Sequence, residues 1–130
     1  MNALSPLFLV TVYTELFALA SNANITGPIP ATLGNLNNMV TLILNNNRLS
    51  GAIPPELGGM VALEELALQR NLLTSTIPPE LGGLVSLTIF TLGRNSITGE
   101  MPAEICSLTP TLAELVPDCT VNCTCCSACI

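Results

Sequence analysis

Six cysteines are the most reactive side chains in this chain. Five of them crowd into the last 12 residues (Cys119, Cys123, Cys125, Cys126 and Cys129), with Cys106 upstream. An even count in so short a chain points to a disulfide framework formed in an oxidising compartment. The rival chemistry is zinc ligation by Cys123, Cys125, Cys126 and Cys129. Structural zinc sites favour wider Cys-x2-Cys pairs and often recruit histidine, which this sequence lacks. All six cysteines are therefore assigned to disulfides, with no metal and no cofactor expected. Thiol catalysis would need a His or Lys to lower a thiol pKa, and the chain has neither.

The remaining polar groups offer binding rather than catalysis. The only basic residues are Arg48, Arg70 and Arg94, against nine acidic ones, for a net charge of −6. No basic patch for phosphates can be assembled from these, so nucleic acid is not an expected partner. Glu56, Glu80 and Glu104 recur at one spacing, with Thr32 one step earlier. Paired carboxylates serve glycosidases, but a regular row on one ridge provides no cleft to raise one pKa, so we read it as a solubilising face. No nucleophile–base pair or phosphate loop occurs, and we expect no catalytic residue and no enzyme. Asn24-Ile25-Thr26 and Asn122-Cys123-Thr124 are N-glycosylation sequons for a secreting eukaryotic host.

These residues are positioned by a repeat. The sequences MVTLILNNNRLSGAIPPELGGMVA from Met39, LEELALQRNLLTSTIPPELGGLVS from Leu63 and LTIFTLGRNSITGEMPAEICSLTP from Leu87 align at a 24-residue period. A first turn from Thr14 carries one extra residue near Ala23, and Leu112 and Leu115 begin a closing half-turn. A single such turn cannot bury its apolar face, whereas stacked turns can. At 49% hydrophobic and mean hydropathy +0.62 the chain is apolar throughout, yet no apolar run reaches the ~20 residues of a membrane span. With aromatics at 3%, the core must be aliphatic.

Each column has a physical task. Phe17 and Leu19, Leu42 and Leu44, Leu66 and Leu68, and Phe90 and Leu92 alternate with outward residues as half-buried strands do. Leu33, Leu57, Leu81 and Ile105 fill the convex side. Asn22, Asn47, Asn71 and Asn95 fall at one phase, where an inward amide can satisfy buried backbone groups and form a ladder. Pro30, Pro54, Pro78 and Pro102 fix φ where no sheet hydrogen bond is needed. Gly27, Gly51 and Gly99 mark a turn at which Ser75 stands instead, predicting local strain.

With N-x-L-x-G-x-I-P in each turn, the chain resembles plant-type leucine-rich repeats. Those occur in receptor-kinase ectodomains, polygalacturonase-inhibiting proteins and secreted algal proteins. The tail from Asp118 is similar to the cysteine-rich terminus of extracellular algal members. The resemblance implies an α/β-type solenoid, a superhelix with a parallel concave β-sheet and a second short strand region before each Ile-Pro. It also implies recognition of a protein, peptide or glycan, outside the cell or at its surface.

We divide the chain into a degenerate half-repeat or signal-like segment (1–13), repeats over 14–110 (14–38, 39–62, 63–86, 87–110) and a cysteine-rich cap (111–130). Leu4–Val12 with Ala18-Leu19-Ala20 imitates a signal peptide, but Ala3–Asn22 also aligns with Ala52–Asn71. Ser5 and Pro6 suit the start of a short helix. Cys106 replaces the glycine of Gly34, Gly58 and Gly82 where the tail should fold back, so we expect it to pair with a tail cysteine. Six cysteines allow 15 connectivities.

The alternating strand residues define a candidate concave site: Thr41, Glu65 and Ile89, then Ile43, Ala67 and Thr91, then Asn45 and Gln69, and at the margin Asn46, Arg70 and Arg94. Arg70 and Arg94 suit a carboxylate or sulfate. The alternative is a structural or surface-active solenoid, in cell wall or on ice, using the hydroxyl row Thr26, Ser50, Thr74 and Thr98. The sequence leaves the oligomeric state open.

Overall fold

The computed structural model describes residues 16–18 (backbone only), 24–108 and 110–130. The segment 1–13, the side chains of Phe17 and Leu19, and Asn22 of the ladder lie outside the described residues. Among the described residues ten short strands follow in order, beginning with β1 (Leu16–Ala18), β2 (Thr26–Pro28), β3 (Thr41–Ile43), β4 (Arg48–Gly51) and β5 (Glu65–Ala67). They continue with β6 (Leu72–Leu73), β7 (Ile89–Thr91), β8 (Gly99–Glu100), β9 (Glu114–Val116) and β10 (Val121–Asn122).

The odd-numbered strands form one five-stranded parallel sheet, with Thr41, Glu65, Ile89 and Glu114 in register. The strand centres Leu42, Leu66, Phe90 and Leu115 are buried against the core. Alternation does this: in β3 and β7 the middle residue points inward and its neighbours point out. Leu44, Leu68 and Leu92, then Leu49, Leu73 and Ile97, complete the core from the turns. Each buried aliphatic side chain contributes about 1.5–3 kcal/mol.

On the far side lie 3-10 turns at Ala31–Asn35, Pro55–Gly59 and Pro79–Gly83, followed by the short helix α1 (Ala103–Cys106). The preceding prolines hold φ between −59° and −71°, and the first bonds run from Leu57 N to Pro54 O and from Leu81 N to Pro78 O. Leu33, Leu57, Leu81 and Ile105 are fully buried beneath. The turns stack tightly: a Cβ added at Gly34 or Gly58 would fall on the carbonyl oxygen of Glu56 or Glu80 in the next turn. Glu56, Glu80 and Glu104 stand exposed on this ridge.

A second parallel region joins β2, β4 and β6, and β8 pairs with β10. Here each residue faces the one 22 positions on, so Thr26 lies beside Arg48 and Ser50 beside Leu72. A two-residue stagger displaces strand neighbours by about 7 Å along the strand. The row Thr26, Ser50, Thr74 and Thr98 therefore runs diagonally instead of side by side. The same stagger brings exposed Thr76, Thr98 and Thr120 onto adjacent chain segments, through Thr98 N donating to Ser75 O and Thr120 Oγ1 to Ile97 O.

At the corner before the convex side, Gly27, Gly51 and Gly99 have φ of 85°, 77° and 91°, and Ser75 takes φ 69° in the same role. A Cβ in that region crowds the following carbonyl. Ser75→Gly is expected to raise stability by about 0.5–1 kcal/mol, the relief being partly offset by the freer unfolded chain. Urea unfolding of the two proteins checks this, and a lower midpoint for the glycine variant would refute it.

Candidate functional site

The concave surface is built from the outward residues of the five-stranded sheet. Thr41, Glu65 and Ile89 form one half-buried column, with exposed Glu114 at its end. Ile43 and Thr91 flank Ala67 in the next column, and Asn45 and Gln69 stand beyond. Thr91 Oγ1 donates to Gln69 Oε1 at 2.7 Å, fixing the amide between two turns. Among the described residues, Asn45 Oδ1 is a buried acceptor on this face with no hydrogen-bond partner. Such an atom is costly to leave bare.

Ala67 lies in the right column but is only 5% exposed. Its single methyl sits between the longer side chains of Ile43 and Thr91 in register, so it shapes the floor and offers little surface.

At the margin, Asn46, Arg70 and Arg94 all adopt the left-handed conformation, with φ of 57°, 59° and 61°. Arginine pays for this region on the order of 1 kcal/mol. Cross-turn hydrogen bonds offset it, from Asn46 N to Gln69 O and from Arg70 N to Gly93 O. Both guanidinium-bearing side chains are exposed, and Arg70 Nη1 reaches Asn46 Oδ1 at 3.5 Å.

Behind this margin runs the amide ladder. Asn71 Nδ2 donates to Leu44 O and Leu68 O, and its Oδ1 accepts from Leu49 N, each at 3.0 Å. Asn95 repeats the pattern with Leu68 O, Leu92 O and Leu73 N. Asn47 Nδ2 bonds Leu44 O and Asn45 O. Asn71 and Asn95 thus each fasten their own turn to the one before, while the two Asn47 bonds brace its own turn.

Sequence reasoning missed the end of this ladder. Asp118 is buried and accepts from Asn95 N at 2.8 Å and Ile97 N at 3.2 Å, taking the ladder position one turn on. Its offset of 23 rather than 24 residues from Asn95, and its change of side chain, hid it in the tail motif. The tail also closes the sheet edge. Ser127 N donates to Leu115 O, Ile130 N to Pro117 O and Arg94 N to Ile130 O. Pro117 carries no N–H to be stranded there. The Ile130 side chain occupies the space above Gly93, so the fourth turn of the concave face is partly covered by the chain itself.

Three disulfides fasten the cap, Cys106–Cys125, Cys119–Cys129 and Cys123–Cys126. Cys106 has room for a side chain where the other turns require glycine, because the next turn is the tail. Asn24 and Asn122 are both exposed, Asn24 just before β2 and Asn122 on β10, away from the concave sheet.

The leucine-rich-repeat family is matched at residues 38–60, 62–84 and 86–108, more than half of the sequence, and the chain belongs to that family. No curated protein matches it significantly. Among solved structures it is similar to the plant peptide hormone receptor RGFR1 in complex with RGF2, at 31% identity and TM-score 0.71 over 86% of this chain and 17% of that one. It is similar also to the Arabidopsis receptor kinase HAESA in complex with the peptide hormone IDA and the co-receptor SERK1, at 28% identity and TM-score 0.71 over 78% and 17%. A plant ice-binding protein aligns at 25% identity and TM-score 0.80, over 94% of this chain and 39% of that one. The chain therefore spans less than half the length of each. Among the described residues, no helix is long and apolar enough to cross a membrane.

Proposed function

We propose that the chain is an extracellular recognition module that takes an extended protein or peptide segment along its concave sheet. The observation that carries this reading is the sheet's in-register outward columns, bordered by exposed Arg70 and Arg94 in left-handed turns. Half-buried Thr41, Ile43, Glu65, Ile89 and Thr91 supply a shallow floor, and half-buried Asn45 and Gln69 a polar wall. The two arginines suit a carboxylate on that segment. The receptors similar to this chain hold peptide hormones, which favours the peptide class. Three disulfides fit an oxidising exterior. Asn24 and Asn122 are the assigned glycan acceptors, and neither would obstruct the sheet. We assign the face binding and no catalysis: the Thr91 hydroxyl is committed to the Gln69 amide.

Binders selected from a random peptide library with free carboxyl ends test this. The Arg70→Glu/Arg94→Glu variant is expected to bind them about tenfold or more weakly, with stability changed by no more than about 0.5 kcal/mol. Binders indifferent to both substitutions would remove the concave margin from the reading.

A surface-active role is the second reading, favoured by the likeness to the ice-binding protein over nearly the whole chain. Its face would be the adjacent hydroxyls Thr76, Thr98 and Thr120. Thr76→Lys/Thr98→Lys should then abolish inhibition of ice recrystallisation, and a wild-type protein without such inhibition ends this reading.

A further inference from the structure

We infer that the cap has a second closed form: in the reduced chain the sulfurs of Cys106, Cys123, Cys125 and Cys126 form a tetrathiolate site for a divalent cation of the zinc type. The inference is independent of what the concave face binds. Two disulfides, Cys106–Cys125 and Cys123–Cys126, lie side by side, and Cys123 Sγ stands 3.8 Å from Cys125 Sγ across the gap. The sulfurs of Cys123, Cys125 and Cys126 all lie within 4.8 Å of one another, and Cys106 is bonded to the middle residue of the three. Four thiolates held about 2.3 Å from one zinc ion stand about 3.8 Å apart at the corners of a tetrahedron. Three of the four sulfurs are thus already gathered at the scale of such a site, and Cys106 Sγ, tethered next to Cys125 Sγ by their bond, has to swing toward Cys123 and Cys126 once the two bonds open.

The fold, not the local sequence, selects this set. Read along the chain, the nearest four cysteines are Cys123, Cys125, Cys126 and Cys129. The structure draws Cys129 to Cys119 instead and brings in Cys106 from the end of α1. Cys106, Cys123, Cys125 and Cys126 are half-buried and packed against the apolar core, which limits their wandering. The backbone that carries them is anchored independently of sulfur by Met101 N donating to Asn122 O and by the β8–β10 pairing.

The two forms interconvert by thiol–disulfide exchange. Four zinc-bound thiolates react with two molecules of a disulfide oxidant. Two cysteine disulfides form, four oxidant-derived thiolates are released, and the zinc ion leaves with its charge restored to solvent. Zinc would hold the tail against the last turn while the chain is still reduced, and oxidation would replace the ion with covalent bonds.

The test uses the full chain reduced with a phosphine, given one equivalent of Zn2+, and alkylated with iodoacetamide before peptide mapping. Native mass spectrometry should find one zinc per chain. Cys106, Cys123, Cys125 and Cys126 should be protected while Cys119 and Cys129 react. Cys119→Ser/Cys129→Ser should keep the affinity, and Cys106→Ser should weaken it about tenfold or more. Protection of Cys129 in place of Cys106 would mean that an unfolded tail is chelating the ion, and would overturn the proposal. Failure to retain zinc, or equal affinity in the Cys106→Ser variant, would overturn it as well.

Discussion

Replacing Gly58 with alanine is expected to lower the unfolding free energy by about 3 kcal/mol or more, although only one methyl is added. A Cβ at this position falls on the carbonyl oxygen and carbon of Glu80, which belong to the backbone of the next 3-10 turn and cannot rotate away. The two turns would have to separate, loosening Leu57 and Leu81, both fully buried beneath them. Neighbouring glycines calibrate the effect. Gly59→Ala meets only the Gly34 oxygen at 3.1 Å and should cost less. Gly51 has open space but φ 77°, so Gly51→Ala should lose only about 1 kcal/mol, from backbone strain. Urea unfolding of the three variants checks the order. A Gly58→Ala midpoint no lower than that of Gly51→Ala would show that the stacked turns are not rigid.

The same column explains what was legible in the sequence. Leu42, Leu66 and Phe90 repeat at fixed phase, and a period of 24 can bury all three only by stacking, so stacked turns with a half-buried strand in each follow from spacing, while the parallel concave sheet came from the resemblance to leucine-rich repeats. Cys106 was readable because it breaks a column of glycines. Its partner was not: Cys119, Cys123, Cys125, Cys126 and Cys129 are equivalent in sequence, and only the path of the tail across the sheet edge distinguishes them. On the concave face, phase assigns direction but not exposure, so Ala67 and Ile89 look alike until their neighbours' side-chain lengths are compared. The cover that Ile130 places over Gly93 has no periodic signal at all. The stagger of the second sheet is equally invisible, because it arises from how the turns lean on one another while the period stays at 24 residues.

Exchanging side-chain types along the amide ladder should separate its interior from its end. Asn71→Asp is expected to destabilise by about 3–5 kcal/mol, whereas Asp118→Asn should cost only about 1 kcal/mol. The interior position must both donate and accept: Asn71 gives two N–H bonds to Leu44 O and Leu68 O and receives one from Leu49 N. A carboxylate there keeps the bond from Leu49 N but points its other oxygen at two carbonyls, in a buried site with no donor to meet it. The end position has the opposite demand. Asp118 receives N–H groups from Asn95 and Ile97, and the Leu92 carbonyl that an amide might have served is already met by Asn95. An amide at 118 retains one acceptor oxygen and turns its NH2 toward a donor, which loses one bond and leaves the other. Thermal unfolding near neutral pH gives the comparison. The order is specific to a ladder that switches from shared to terminal bonding, so equal losses in the two variants would mean that the amides act only as space-filling polar groups.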